Sequence, residues 1–135
     1  MRNSPMSRSA NEIVAAARAL IGVRFRPQGR SVETGFDCIG VVAAALGAER
    51  VPRDYVLRGG SPARLAAELA AAGLRRVEAA IPGDVLTMGA GPAQLHLGVF
   101  TGTGLVHGDA GLRRVVERPA PLPWPIIHIW RLGEE

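Results

Sequence analysis

The hydrophobic pattern of this 135-residue chain changes period once, near Pro82, and that change limits the fold more than any single motif. Before it, Ile13, Ala16, Ala17 and Leu20 recur at i, i+3, i+4 and i+7, which predicts a helix over 12–21 with Asn11 as its cap and Gly22 as its end. A second helix is expected over 38–47, apolar on nearly all sides and therefore buried, ending at Gly47. A third is expected over 62–72, since Ser61-Pro62 supplies a cap and a first-turn proline, and Gly73 stops it. Leu65 and Leu69 mark its inner face. After Pro82 the chain reads as short strands at 84–88, 95–101, 104–109, 113–118 and 126–132. Four prolines among the seven residues Pro119–Pro125 make a rigid connector before the last strand. Helices first and strands after is the order of an α+β fold, with helices packed on one side of an antiparallel sheet. Residues 22–36 read as a loop, 1–11 as a loose leader and 12–135 as a single domain.

Composition narrows the function classes. All 16 basic residues are Arg, against 12 acids, for a net charge of +4. The arginines are scattered, and only 4% of residues are aromatic, so nucleic-acid binding by stacking is not expected. A basic surface does suit an anionic polymer such as a cell wall. No stretch reaches the roughly 20 apolar residues of a membrane span. The segment Met1–Ala10 has no apolar core of a secretory signal, so delivery to a substrate outside the cytoplasm is expected to depend on something else. One cysteine excludes an internal disulfide framework and a multi-cysteine zinc site.

That cysteine, Cys38, follows Asp37, a good N-cap type, and opens the second helix. A thiol in the first helical turn faces the positive end of the macrodipole, which favours the thiolate and hence a nucleophile. A base is available on the hairpin around Thr101-Gly102-Thr103-Gly104. Pairing Phe100 with Leu105 sets Gly98 opposite His107 and His96 opposite Asp109. His96, Gly98, Phe100, Leu105, His107 and Asp109 then share one face, and His96 and His107 are diagonal neighbours with no side chain between them at Gly98. A histidine base needs a second group to fix its tautomer, and His107 and Asp109 both qualify. If the helix start meets this face, Cys38, His96 and a polar third member make an activated nucleophile for acyl transfer, with the Cys38 N–H available to the oxyanion. Cys38, His96 and His107 as metal ligands is the weaker reading, because the tight paired spacings of zinc modules are absent. His128, between Ile127 and Ile129, reads as a structural strand residue.

These residues resemble the NlpC/P60 cysteine peptidases, in particular the short phage and gene-transfer-agent members. Asp37-Cys38-Ile39-Gly40-Val41-Val42 is similar to the family's Asp-Cys-Ser-Gly-Leu-Val nucleophile motif. Ile81-Pro82-Gly83-Asp84-Val85-Leu86 resembles its Pro-Gly-Asp-Leu entry to the sheet, and His96-Leu97-Gly98-Val99-Phe100 its His-Val-Gly-Ile-Tyr strand. Gly104-Leu105-Val106-His107 is similar to the next strand, and Ala17 to Phe25 to the helix and Gly-x-Pro-Tyr stretch upstream. The likeness covers about residues 12–118. It implies a papain-like fold and a thiol protease that hydrolyses amide bonds in peptidoglycan stem peptides, commonly beside D-glutamate. It implies Cys38 as nucleophile, His96 as base and His107 as orienting residue, with no cofactor and no metal. It also implies action at the cell wall, with phage-like tail proteins as partners. Ile39 departs from the usual Ser, and Phe25 stands where many members have Tyr. The same motifs occur in thiol acyltransferases, and an inactive structural tail-tip component is a further alternative.

Overall fold

The computed structural model describes residues 8–26, 30–31, 35–48, 61–91 and 94–133. Three helices precede most of the sheet. Helix α1 spans Ala10–Arg18, α2 Cys38–Leu46 and α3 Pro62–Ala71. The strands are β1 (Arg30–Ser31), β2 (Gly35–Phe36), β3 (Leu74–Val77), β4 (Val85–Gly91), β5 (Gln94–Phe100), β6 (Gly104–Asp109), β7 (Arg114–Pro119) and β8 (Ile126–Leu132). β1 and β2 pair with each other, and the other six form an antiparallel sheet in the order β3-β8-β4-β5-β6-β7. The α+β expectation therefore holds.

Three local expectations are corrected. α1 begins at Ala10 behind Ser9, not behind Asn11: the Ser9 hydroxyl accepts from the Glu12 N–H while the Glu12 carboxylate accepts from the Ser9 N–H. Reciprocal capping satisfies two orphan donors at once, which a lone Asn cap does not. Within 22–36, Arg24 bridges Arg114, and β1 and β2 form a short ribbon. β3, which has no counterpart in the sequence expectations, lies at the sheet edge against β8. Residues 1–7 of the expected leader lie outside the described residues.

The sheet has two apolar faces. α1 and α2 cover one of them, where Ile13, Ala17, Val41, Val42, Ala45 and Leu46 meet Leu95, Leu97, Val99, Val106 and Val115. Each of the buried Val and Leu side chains on α2 contributes about 2 kcal/mol. The opposite face holds a smaller cluster of Leu86, Met88 and Leu105, covered by Phe100, Leu122, Trp124 and Ile129. The proline-rich connector thus roofs the side away from the helices.

The turn entering β4 is fixed by Asp84, which is almost fully buried. Its carboxylate accepts from Arg131 Nε at 2.8 Å, from Arg131 Nη2 at 2.9 Å and from the Ile81 N–H at 2.9 Å. Asp84→Asn keeps the shape but breaks the two-pronged charge pair. Because Arg131 stays partly in water, the expected cost is about 2 kcal/mol, below that of a fully buried pair. Urea unfolding checks it, and an unchanged midpoint contradicts this role.

Candidate functional site

Asp37 and Gly47 define α2. The Asp37 carboxylate accepts from the Gly40 N–H at 2.8 Å, and Gly47 adopts a left-handed φ of 76° as the C-terminal cap. The cap and the Asp37 carbonyl satisfy Gly40 and Val41, so the N–H groups of Cys38 and Ile39 are left without a helical acceptor. Cys38 thus stands in the first turn, as the sequence expects.

The hairpin that carries the histidines behaves as expected near its turn and differently beyond it. Phe100 pairs with Leu105 and Val99 with Val106, and there the pairing of β5 with β6 stops. His96, Leu97 and Gly98 on β5 run on beside His107, Gly108 and Asp109 on β6 without a ladder between them. The start of α2 lies at this split. A Cβ placed on Gly108 would come within 3.3 Å of the Cys38 nitrogen and 3.2 Å of the Asp37 carbonyl carbon. The Cys38 thiol is also close enough to the Leu97 N–H to feel it. Glycine at 108 lets the helix start approach the strands, so the missing side chain has a packing reason.

Across the split, His96 Nε2 and His107 Nδ1 are 2.8 Å apart, a hydrogen bond between the two rings. Their planes are nearly perpendicular, with centroids 4.9 Å apart. His96 keeps Nδ1 as its second functional nitrogen. Asp109 instead accepts from the Leu112 N–H at 3.0 Å, holding the turn after β6. It bonds neither imidazole among the described residues, though its charge favours the protonated form of both. Of the two orienting groups left open by the hairpin geometry, the one hydrogen-bonded to His96 is His107. Trp124 packs edgewise on both rings, at 5.0 Å from His96 and 5.2 Å from His107. Its only signal in the sequence is an aromatic residue set among prolines.

Gly98 lies between the two histidines on their face. A Cβ there would stand 2.7 Å from the side chain of Leu105. Gly98→Ala must displace the Leu105 side chain, with an expected loss of about 2 kcal/mol. Thermal unfolding monitored by circular dichroism reads it, and wild-type stability in this variant is the contrary result.

Electrostatics departs from the sequence expectation in one respect. Cys38 is only 2% exposed. Burial, with the Asp37 carboxylate next to it, pushes the thiol up to about 12, against the opposing pull of the N–H groups of Leu97, Ile39 and Cys38. The helix-start effect is present but burial outweighs it, so the expected thiolate is a neutral thiol in this state. His96 moves the other way: burial and the neighbouring His107 hold it down to about 4. His107 is also lowered, chiefly by burial, and its Nε2 is buried without a hydrogen-bond partner among the described residues. The described residues contain no hydrogen bond between Cys38 and His96. The expectation that the start of α2 meets the histidine face is corrected: Cys38 belongs to the core on the α2 side of the sheet with Leu97, Val99 and Val106, whereas Trp124, which packs on both imidazoles, belongs to the cluster on the opposite side.

His128 lies on β8 beside Trp130, at 5.8 Å between rings, apart from the other two histidines. Among the described residues no group of three or more His, Cys, Asp or Glu side chains is placed to hold a metal ion.

No family model and no curated protein sequence matches the chain. Solved structures do match. NlpC1 from Trichomonas vaginalis aligns over 99% of this chain with a TM-score of 0.71 and 15% identity. The peptidoglycan hydrolase RipB from Mycobacterium tuberculosis aligns over 100% of this chain and 70% of its own, at a TM-score of 0.64 and 22% identity. RipD from the same organism, a non-catalytic NlpC/p60 domain protein, aligns over 96% of this chain and 98% of its own, at 0.58 and 18%. The chain has the NlpC/P60 fold. It spans about half the length of NlpC1, 49%. Within this NlpC/P60 fold, the split hairpin and the buried start of α2 are the features of the candidate site. At these identities the likeness extends to the fold and leaves the chemistry to the residues themselves.

Proposed function

We propose that the chain is a cysteine peptidase that hydrolyses amide bonds in peptidoglycan stem peptides, with Cys38 as nucleophile, His96 as base and His107 as orienting residue. The observation that carries the proposal is the 2.8 Å bond between His96 and His107 at the split where the α2 start enters. It occupies His96 Nε2 and leaves Nδ1 to take a proton. The fold shared with RipB, described as a peptidoglycan hydrolase, supports the substrate class.

The reaction begins from a neutral pair. As Sγ attacks the amide carbonyl carbon, its proton passes to His96 Nδ1, and the imidazolium is steadied through Nε2 by His107. The carbonyl π electrons move to oxygen, where the N–H groups at the start of α2 donate to the oxyanion. The intermediate collapses, the C–N bond breaks, and His96 returns the proton to the leaving amine. Water, deprotonated by His96, then cleaves the thioester and regenerates the thiol. Neither metal nor cofactor enters these steps. The proposed setting is a phage-like tail or gene-transfer-agent particle acting at the cell wall, on the likeness of the sequence motifs.

One observation favours a second reading. The thiol is buried and held protonated, as suits a domain that keeps the fold without the reaction, and RipD is described as a non-catalytic member adapted to peptidoglycan binding. Mass spectrometry of muropeptides after incubation with wild type and Cys38→Ala separates the two. The peptidase reading expects new amino termini from wild type alone, and their absence from both decides for the non-catalytic one.

A further inference from the structure

We propose that Trp124 is the positioning residue of the histidine pair: carried by the proline-rich connector, its indole holds the two imidazoles in their mutual hydrogen bond and shuts water out of it. What the pair then does rests on the peptidase reading, whereas the holding stands on its own.

The backbone does not bring the two rings together. Beyond Val99 and Val106 no ladder joins β5 to β6. His96 is placed instead by β4, where it pairs with Met88, and His107 by β7, where it pairs with Val116. A bond of 2.8 Å therefore has to be kept across strands that are not bonded to each other at this level. His107 adds a second demand. Its Nε2 is buried without a hydrogen-bond partner among the described residues, so packing has to supply what a second bond at that ring would.

Trp124 is placed to meet both demands. The connector is pinned at its two ends. The Ala120 N–H donates to the Thr103 carbonyl at 2.9 Å, at the closed end of the β5–β6 hairpin. The Gly89 N–H on β4 donates to the Pro125 carbonyl at 3.0 Å, and Gly89 pairs with Leu95 at the open end of that hairpin. Between these pins the strap crosses the face that carries the rings, with Leu122 and Trp124 packed on the Leu86, Met88 and Leu105 cluster. Its four prolines reduce the entropy lost in ordering it. The indole centroid stands 5.0 Å from that of His96 and 5.2 Å from that of His107, and the two imidazoles are 4.9 Å apart. The three rings thus form a nearly equilateral triangle, in which one side chain fixes the separation of the other two. From β7, the Arg118 guanidinium lies 5.7 Å from the indole centroid, a cation–π contact that steadies the indole in turn. Trp124 acts from the side of the sheet opposite Cys38.

Few charges compete with this cover. Asp109 on β6 favours protonation of both rings, and Arg118 on β7 opposes it at His107. The elements α2, β4, β5 and the connector add no titratable side chain beyond Cys38 and His96. Burial is the largest influence on both imidazoles, and the indole is the aromatic surface that the two share.

The test is NMR titration of the histidine rings in wild type, Trp124→Leu and Trp124→Phe. Leu keeps apolar volume over the cluster without a flat ring, and Phe keeps the ring. His128, beside Trp130 and apart from the pair, is the internal control. In wild type His96 is held down to about 4. The Leu variant is expected to raise its midpoint by about one pH unit or more, while Phe keeps the wild-type value and His128 moves in neither. An unchanged His96 in the Leu variant, or a shift that His128 shares, overturns the proposal. Wild type supplies a second measurement that does not depend on the folding of a variant. The N–H proton between the two rings is expected to give a signal that persists at neutral pH, and its loss through exchange with water overturns the proposal as well. On muropeptides, kcat of the Leu variant is expected to fall about tenfold or more with KM little changed, as for a loss of alignment. A pair that titrates as expected in a protein that cleaves nothing overturns the peptidase reading and leaves Trp124 in its role. Cleavage by wild type, with kcat and the His96 midpoint both unchanged in the Leu variant, does the reverse.

Discussion

Cys38→Ala is expected to lower the release of new amines from peptidoglycan fragments by roughly 10⁴-fold or more, because the nucleophile and the covalent intermediate are both removed. The fold is expected to survive. The substitution deletes one sulfur from a side chain buried in the main core cluster, with a stability cost of about 1 kcal/mol. Equal amine release by the variant sinks the role of Cys38 outright. His96→Gln distinguishes a base from a spectator: it is expected to lose activity comparably while Cys38 remains in place. The pair of variants matters because the resting thiol is neutral. A neutral thiol attacks only if something removes its proton during the attack, and His96 Nδ1 is the nitrogen left for that task by the bond to His107.

Much of the fold is legible because its signals are local. α2 is bracketed by Asp37 and Gly47, a side-chain cap and a left-handed stop, and both act as the sequence implies. β6 and β8 have the expected bounds. The Thr101–Gly104 turn also sets the expected Phe100–Leu105 register, with Gly102 at a φ of 100°. The start of α1 was legible too, since Ser9 and Glu12 have capping-box spacing. Asn11 is a weaker signal that falls nearer the apolar stripe. β3 is different in kind. Leu74-Arg75-Arg76-Val77 is too short to declare alternation, and it is a strand because β8, far along the chain, pairs with it.

The candidate site divides in the same way. Shared facing of His96 and His107 follows from strand parity, and their bond agrees with it. The split of β5 from β6 is a tertiary effect, produced where the start of α2 and Gly108 come together. The charge state of Cys38 lies furthest from sequence. Position in a helix is local and favours the thiolate, whereas burial belongs to the assembled core and prevails. Trp124 reaches the histidines only because the connector folds back over the sheet.

Stability is expected to fall by about 3 kcal/mol as pH is lowered from 6.5 to 4. In the unfolded chain the His96 imidazole takes up its proton near 6.5, whereas burial beside His107 delays uptake in the folded protein to about 4. Between those values the unfolded state binds more protons, so stability declines with falling pH at 1.36 kcal/mol per unit for this one group. His107 is shifted in the same direction and steepens the decline. Urea unfolding across this range reads the slope, and His96→Gln is expected to flatten much of it. A wild-type curve level from 6.5 to 4 contradicts the burial of an uncharged ring pair. The same protonation governs activity: kcat/KM is expected to rise as His96 becomes neutral near 4 and to stay flat through neutrality, because the thiol holds its proton up to about 12. Without substrate, iodoacetamide is expected to meet about a thousandfold less thiolate than on an unperturbed cysteine. A bell-shaped profile with rapid alkylation at neutral pH identifies a preformed thiolate–imidazolium pair instead, and excludes the neutral pair as the resting state.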